Sequence, residues 1–224
     1  VEPPTIVSIV PPDGTYGVSK DIDIVIQFSE PMNTVDTAAS FQSSDIPPAD
    51  VTFSWNPAGD TLTVDPDNDL AYASGTDPAT VSALQYTFTI TTQAADEAGN
   101  PLAAAESSSF YTLREITQSF AHVDGLTGDV RDDATVNGCS GTRICAGDSG
   151  VTVDAQYKGF VTFDISALPA NIESVVGATL TADQETTFGN PYIDLGDLNL
   201  HHVSFTTLDI NAFNSAALHD LGTF

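Results

Sequence analysis

Short runs in which apolar and polar residues alternate recur along the chain, separated by turn-forming clusters. Residues 22–28, IDIVIQF, form a dense β run, and VTFSW at 51–55 and TLTV at 61–64 alternate as half-buried strands do. The cleanest alternation is YTFTITT at 86–92. Successive strand side chains point to opposite faces, so Tyr86, Phe88 and Ile90 share one face and Thr87, Thr89 and Thr91 the other. SSFYTL at 108–113 reads as the last strand of this half. Between the runs lie PPDGT at 11–15, NPAGD at 56–60, DPDND at 65–69 and DEAGN at 96–100. Roughly six or seven short strands in about 110 residues is the pattern of an antiparallel sandwich.

The rhythm breaks near residues 113–117 and then resumes. Residues 114–117 are expected to be a linker between a first domain, 1–113, and a second, 118–224. In the second, apolar weight falls on both faces of the strand at 157–165. SVVGATLTADQ at 174–184 and DLNLHHVSF at 197–205 read as further strands, and LDINAFNSAAL at 208–218 as holding one short helical turn. The expected fold class is all-β, with two antiparallel sandwiches in tandem.

Composition supports this. The 13 Pro and 16 Gly of the 224 residues favour strands and turns over long helices. Apolar residues make up 41%, with 12 Phe and 6 Tyr, enough to bury a core and to argue against wholesale disorder. Charge narrows the partners. Five Lys+Arg against 31 Asp+Glu give −26. Phosphate backbones are bound by cationic side chains that displace counterions, so nucleic acid is excluded as a partner, as is electrostatic attachment to an anionic membrane. No apolar run approaches the ~20 residues needed to span a bilayer. The start, VEPPTIVSIVPP, reads as a mature or trimmed N-terminus, so export is inferred.

Specific motifs carry a resemblance. PTIVSIVPPDGTYGVSKDIDIVIQFSEPMN, WNPAGDTLTVDPDNDLAY and YTFTITTQAADEAGNPL, in that order over residues 3–113, resemble the bacterial Ig-like domain of S-layer and other surface proteins. The resemblance implies a spacer or assembly module without catalysis. In the second half, DVRDD, the GDSG loop, YKGFVTFDISALP, V-x-G-A-T-L and GNPYIDLG are similar to the DNRLRE-type domain of secreted proteins. That likeness implies a jelly-roll-like sandwich associated with carbohydrate or matrix. It also implies two or three further strands beyond Phe224. An incomplete sheet would leave an open edge able to pair with another chain.

Candidate chemistry is sparse. Cys139 and Cys145 lie in a Gly- and Ser-rich loop that can bring their sulfurs together, so a disulfide and an oxidising compartment are expected. No CxxC pair or His-x₃-His partner nearby supports zinc there. Asp124, Asp129, Asp132, Asp133 and Asp148 form the richest acidic zone. They read either as solvent-facing turns that aid solubility or as oxygen ligands of a structural Ca²⁺. DPDND reads as a turn, because an EF-hand would need Gly and Glu where Leu70 and Thr76 stand. Glu30 and Asp96 with Asn100 are expected to lock turns through backbone N–H bonds.

Sugar binding needs exposed rings with polar groups beside them. Tyr157, Phe188, Tyr192 and Phe205 are candidates. Tyr192 leads, with Asn190 and Asp194 in the same loop; a ring packed at a strand edge is the competing reading. Trp55 reads as core. Among 31 acidic residues some pair always looks like a glycosidase dyad, and no G-x-S-x-G elbow is present, so no catalysis is expected.

The expected function is therefore a non-catalytic extracellular or cell-surface module, an Ig-like spacer followed by a polysaccharide-binding sandwich. Two alternatives stand beside it: a subunit that assembles with copies of itself into a layer or filament, and an accessory arm of a secreted polysaccharide hydrolase.

Overall fold

The computed structural model describes residues 2–139, 143–148 and 154–223. Part of the GDSG loop lies outside them. The chain divides into two compact units, Val1–Gln118 and Ser119–Phe224. It is all-β, with several antiparallel sheets and few helices.

The first unit builds one four-stranded sheet from β1 (Ile6–Val10), β3 (Ile24–Phe28), β5 (Val51–Trp55) and β6 (Thr61–Pro66), in the order β1-β3-β6-β5. The second sheet takes β2 (Thr15–Val18), β4 (Phe41–Gln42), β8 (Gln85–Ile90) and β9 (Glu106–Thr112), in the order β2-β9-β8-β4. All neighbours are antiparallel except β2 and β9. Ile24, Ile26, Leu62 and Val64 from the first sheet meet Phe41, Phe88, Ile90 and Phe110 from the second in one core. The expected face of Tyr86, Phe88 and Ile90 is the buried one. Each large apolar side chain so buried contributes roughly 1.5–3 kcal/mol. Trp55 packs against this core, its ring 6.1 Å from that of Phe28.

The turns follow their sequences. In NPAGD, the Asn56 side-chain oxygen accepts the N–H groups of Asp60 and Thr61, and Gly59 takes the positive φ that the β5–β6 hairpin requires. In DEAGN, Asp96 accepts the backbone N–H of Asn100 at 2.8 Å and its side-chain amide at 2.6 Å. Glu30, the other acid read as a turn lock, makes no such bond among the described residues. DPDND, read as a turn, begins in β6 with Asp65 and Pro66 and bends only at Asp67 and Asn68; Asp67 accepts the Thr52 hydroxyl and Asp69 pairs with Lys20 at 3.2 Å. The segment expected to be a linker differs. Arg114–Ile116 is a strand, β10, paired in parallel with β7 (Ala73–Gly75), and Arg114 donates to the carbonyls of Pro78 and Val81. Three residues without alternation gave no strand signal, and their order comes from a partner forty residues earlier.

The second unit holds a three-stranded sheet of β11 (Gly128–Arg131), β13 (Gln156–Phe160) and β12 (Gly147–Asp148), and a separate antiparallel pair, β14 (Asn199–His202) with β15 (His219–Thr223). Two single-turn helices accompany them, α2 (Pro191–Asp194) and α3 (Ile210–Phe213), which follow α1 (Thr34–Ala39) of the first unit in chain order. The short helical turn expected within 208–218 is α3, whose start is capped by Asp209 accepting from Asn211 and Ala212. Its core is small: Val130, Phe160, Leu208, Ala212 and Phe213, with Val203, Phe205 and Ile210 against them. The strand expected over 157–165 ends at Phe160, leaving Phe163 an isolated bridge to His122. The strand expected at 174–184 has no regular structure, and Val175 and Val176 are 71% and 89% exposed. A strand exists only where a neighbouring backbone takes its hydrogen bonds, and among the described residues no strand pairs with this segment.

Candidate functional site

The loop that carries Tyr192 is ordered by local bonds. Pro191 sits at the first helical position, where its missing N–H costs nothing. The Asn190 carbonyl then accepts from Ile193 and Asp194, each at 3.0 Å, while its side chain makes no capping bond. Tyr192 is half-exposed, and its hydroxyl accepts from the Gln184 amide at 2.7 Å. Phe188, at 85% exposure, lies in the same loop, and Asp194 is exposed at the end of α2. Two rings with an amide and a carboxylate beside them thus face solvent.

The neighbouring anchor is Arg143. Its Nε and Nη2 donate to the two oxygens of Glu185, both at 2.6 Å, a bidentate pairing that fixes orientation as well as distance. Arg143 lies inside the loop closed by the Cys139–Cys145 disulfide, whose S–S distance is 2.01 Å. The expected disulfide is therefore present, and it holds the arginine that restrains the residue next to Gln184. Arg143, Gln184 and Glu185 escaped the sequence reading. Arg143 and Glu185 meet across 42 residues, and Gln184 reaches Tyr192 across eight, so only the fold reveals them.

Tyr157 has a different environment. It stands on β13, opposite Arg131 on one side and Gly147 on the other. The Arg131 guanidinium carbon is 5.9 Å from its ring centroid. Gly138 approaches so closely that a Cβ there would lie 3.0 Å from the ring. Tyr157 thus packs within the sheet, against Arg131 and Gly138. Phe205 is likewise a core residue, its ring edge-to-face with Phe160 at 5.3 Å.

The five acidic candidates do separate jobs. Asp124 is wholly exposed and pairs with His122 at 3.2 Å. Asp129 is buried; one oxygen accepts the Gly138 N–H at 2.9 Å, and the other has no hydrogen-bond partner among the described residues. Asp132 is exposed in the following turn. Asp133 accepts from Thr135 and faces Arg131 at 3.5 Å, and the Thr135 hydroxyl and N–H hold its carboxyl below the usual range. Asp148 belongs to β12, opposite Gln156. Among the described residues no three His, Cys, Asp or Glu side chains gather closely enough to hold one ion. Nor does any described helix have the length and apolarity to cross a membrane.

Comparison with known proteins places the first unit. Residues 1–112 match the family model of the bacterial Ig-like domain. No curated protein matches the chain. Among solved structures, an L,D-transpeptidase from Mycobacterium smegmatis is similar at 15% identity, covering 61% of this chain and 50% of its own, with a TM-score of 0.34. The S-layer protein SbsC is similar at 14% identity over 70% of this chain and 23% of its own, TM-score 0.31. The N-terminal part of SbsC gives 12%, 70% and 40%, TM-score 0.33. The chain spans half the length of that transpeptidase and less of either SbsC structure, and scores this low assign no activity. The family match needs no such support: it covers the unit built from two facing four-stranded sheets with locked turns, and the chain belongs to the bacterial Ig-like domain family.

Proposed function

We propose that this chain is a non-catalytic extracellular module of a bacterial surface protein, in which the Ig-like unit is a spacer and the second unit binds polysaccharide through the loop around Tyr192. The spacer reading rests on the family match over residues 1–112. The ligand reading is supported by one observation above others: a half-exposed Tyr192 whose hydroxyl is held by Gln184, with Phe188 bare beside it in sequence. Ring faces stack on the apolar faces of sugars, while Asn190, Asp194 and Gln184 offer partners for hydroxyls. The likeness of the second half to DNRLRE-type domains points the same way.

A glycan array probed with the whole chain tests this. Binding to at least one polysaccharide is expected, with a loss of about tenfold or more in Tyr192→Ala and an unchanged circular dichroism spectrum. Absence of binding across the array, or equal binding by the variant, rejects the ligand assignment and leaves the spacer. Self-assembly into a layer is the second reading. It is favoured by the exposed Val175, Val176, Ile193 and Leu221, since apolar surface of this kind marks protein contacts. Electron microscopy of the purified chain distinguishes it.

A further inference from the structure

Tyr16 on β2 and Tyr111 on β9 stack with their ring planes at 0° and their centroids 4.1 Å apart. Their strands bring this about. β2 and β9 run parallel with Thr15 opposite Phe110, so the next residues along, Tyr16 and Tyr111, leave the sheet side by side. Phe110 is buried, and alternation then puts Tyr111 on the outer face. Parallel strands send both side chains out in the same sense, so the rings lie head to head, hydroxyl beside hydroxyl. The Tyr16 hydroxyl, as a hydrogen-bond partner, is first among the influences that raise the Tyr111 phenol, ahead of partial burial.

Aromatic pairs usually keep their centroids about 4.5–7 Å apart, and this pair is closer. With planes in contact at about 3.5 Å, the observed 4.1 Å leaves a sideways offset of only about 2 Å. The rings therefore overlap, and the carbons ortho to each hydroxyl are brought to one another's faces. The p orbitals at those carbons point along the stacking direction, the direction in which a bond between them forms. We propose that Tyr16 and Tyr111 are a site of oxidative cross-linking, joined by a carbon–carbon bond into dityrosine when a peroxidase delivers the one-electron oxidising power of hydrogen peroxide. Each phenol gives up one electron and one proton. The two phenoxyl radicals couple at their ortho carbons, and the hydrogen left on each of those carbons moves to the adjacent oxygen, restoring both phenols. The two electrons and two protons released reduce one hydrogen peroxide to two waters.

Accessibility favours this pair. Tyr16 is 69% exposed, more than any other tyrosine of the chain. The side chains that compete for an oxidant are sheltered: Met32 is buried, both cysteines are in the disulfide, and Trp55 packs against the core. The product also suits a spacer. β2 is an edge strand, held to β9 across a register break between Thr15 and Val18. The new bond clamps it to the last strand of the two facing sheets, closing most of the Ig-like unit into one loop. Cross-links that close long loops constrain the unfolded chain most. None of this depends on a ligand at Tyr192.

The test treats the whole chain with peroxidase and hydrogen peroxide, at a dilution that disfavours coupling between molecules. The expected product is a monomer lighter by two hydrogens, with dityrosine fluorescence, whose digest joins the peptide holding Tyr16 to the one holding Tyr111. The first unit then melts about 5 °C or more higher, the scale on which a long-loop cross-link stabilises a domain of this size. Tyr16→Phe and Tyr111→Phe keep the ring packing, and neither gives the linked monomer. Tyr72→Phe still gives it. A digest lacking this link, or showing linkage only between molecules or to another tyrosine, overturns the proposal. So does a linked monomer that persists in either the Tyr16 or the Tyr111 variant.

Discussion

Asp96 illustrates how single residues fix the Ig-like unit. It is 3% exposed, yet both its oxygens are met by Asn100, and the Asn100 amide first, then the turn N–H groups, hold its carboxyl below the ordinary value of 3.8. A carboxyl depressed by folding stabilises fully above its unfolded value, and the stabilisation disappears as pH falls through the lower folded value. Asp13, held by the N–H and hydroxyl of Ser109, acts in the same direction and ties the β1–β2 crossover to β9. Asp96→Ala is therefore expected to lower stability near neutral pH, with the gap to wild type closing below 3.8; urea melts across the acid range check this, and a constant gap contradicts it. Asp23 has the opposite sign. Burial, then Asp65, raises its carboxyl, so its ionisation opposes folding at neutral pH. Asp23→Asn should be neutral or stabilising there. In the core, Phe88→Ala should cost about 3–5 kcal/mol, read from the denaturation midpoint.

At the scale of elements, alternation was readable wherever one face of a strand is buried and the other wet. That is why 86–92, 51–55 and 61–64 are visible in the sequence, and why Tyr86, Phe88 and Ile90, which alternation puts on one face, are buried together. Residues 174–184 show the limit. Their pattern suits a strand, but a pattern carries no information about whether a second backbone lies alongside. Likewise the aromatic candidates were named from their loops, whereas the Arg143–Glu185 pair and the Gln184 bond to Tyr192 join residues distant in sequence or invisible to periodicity. Their role is open to experiment. Reducing the Cys139–Cys145 disulfide, or replacing Arg143 by Ala, frees the loop next to Gln184. Each is expected to weaken polysaccharide binding several-fold while the first unit's melting stays unchanged. Exposed ion pairs contribute little to stability, about 0–1 kcal/mol, so a large loss of fold in Arg143→Ala would argue against a positioning role.

Across the whole molecule, the two units differ in how they are held together. The first has a continuous core from two sheets; the second has a small one, completed by α3, with long exposed stretches between its sheets. The charge of −26 weakens both by self-repulsion, which salt screens within about 10 Å at 0.1 M. Added NaCl should accordingly raise the melting temperature. The measurement that bears most directly on the spacer assignment is calorimetry of the whole chain beside residues 1–118 alone. The isolated piece is expected to unfold in one cooperative transition that coincides with the higher-melting of two transitions in the whole chain. A piece that does not fold, or that melts with no counterpart in the whole chain, would contradict an autonomous Ig-like unit.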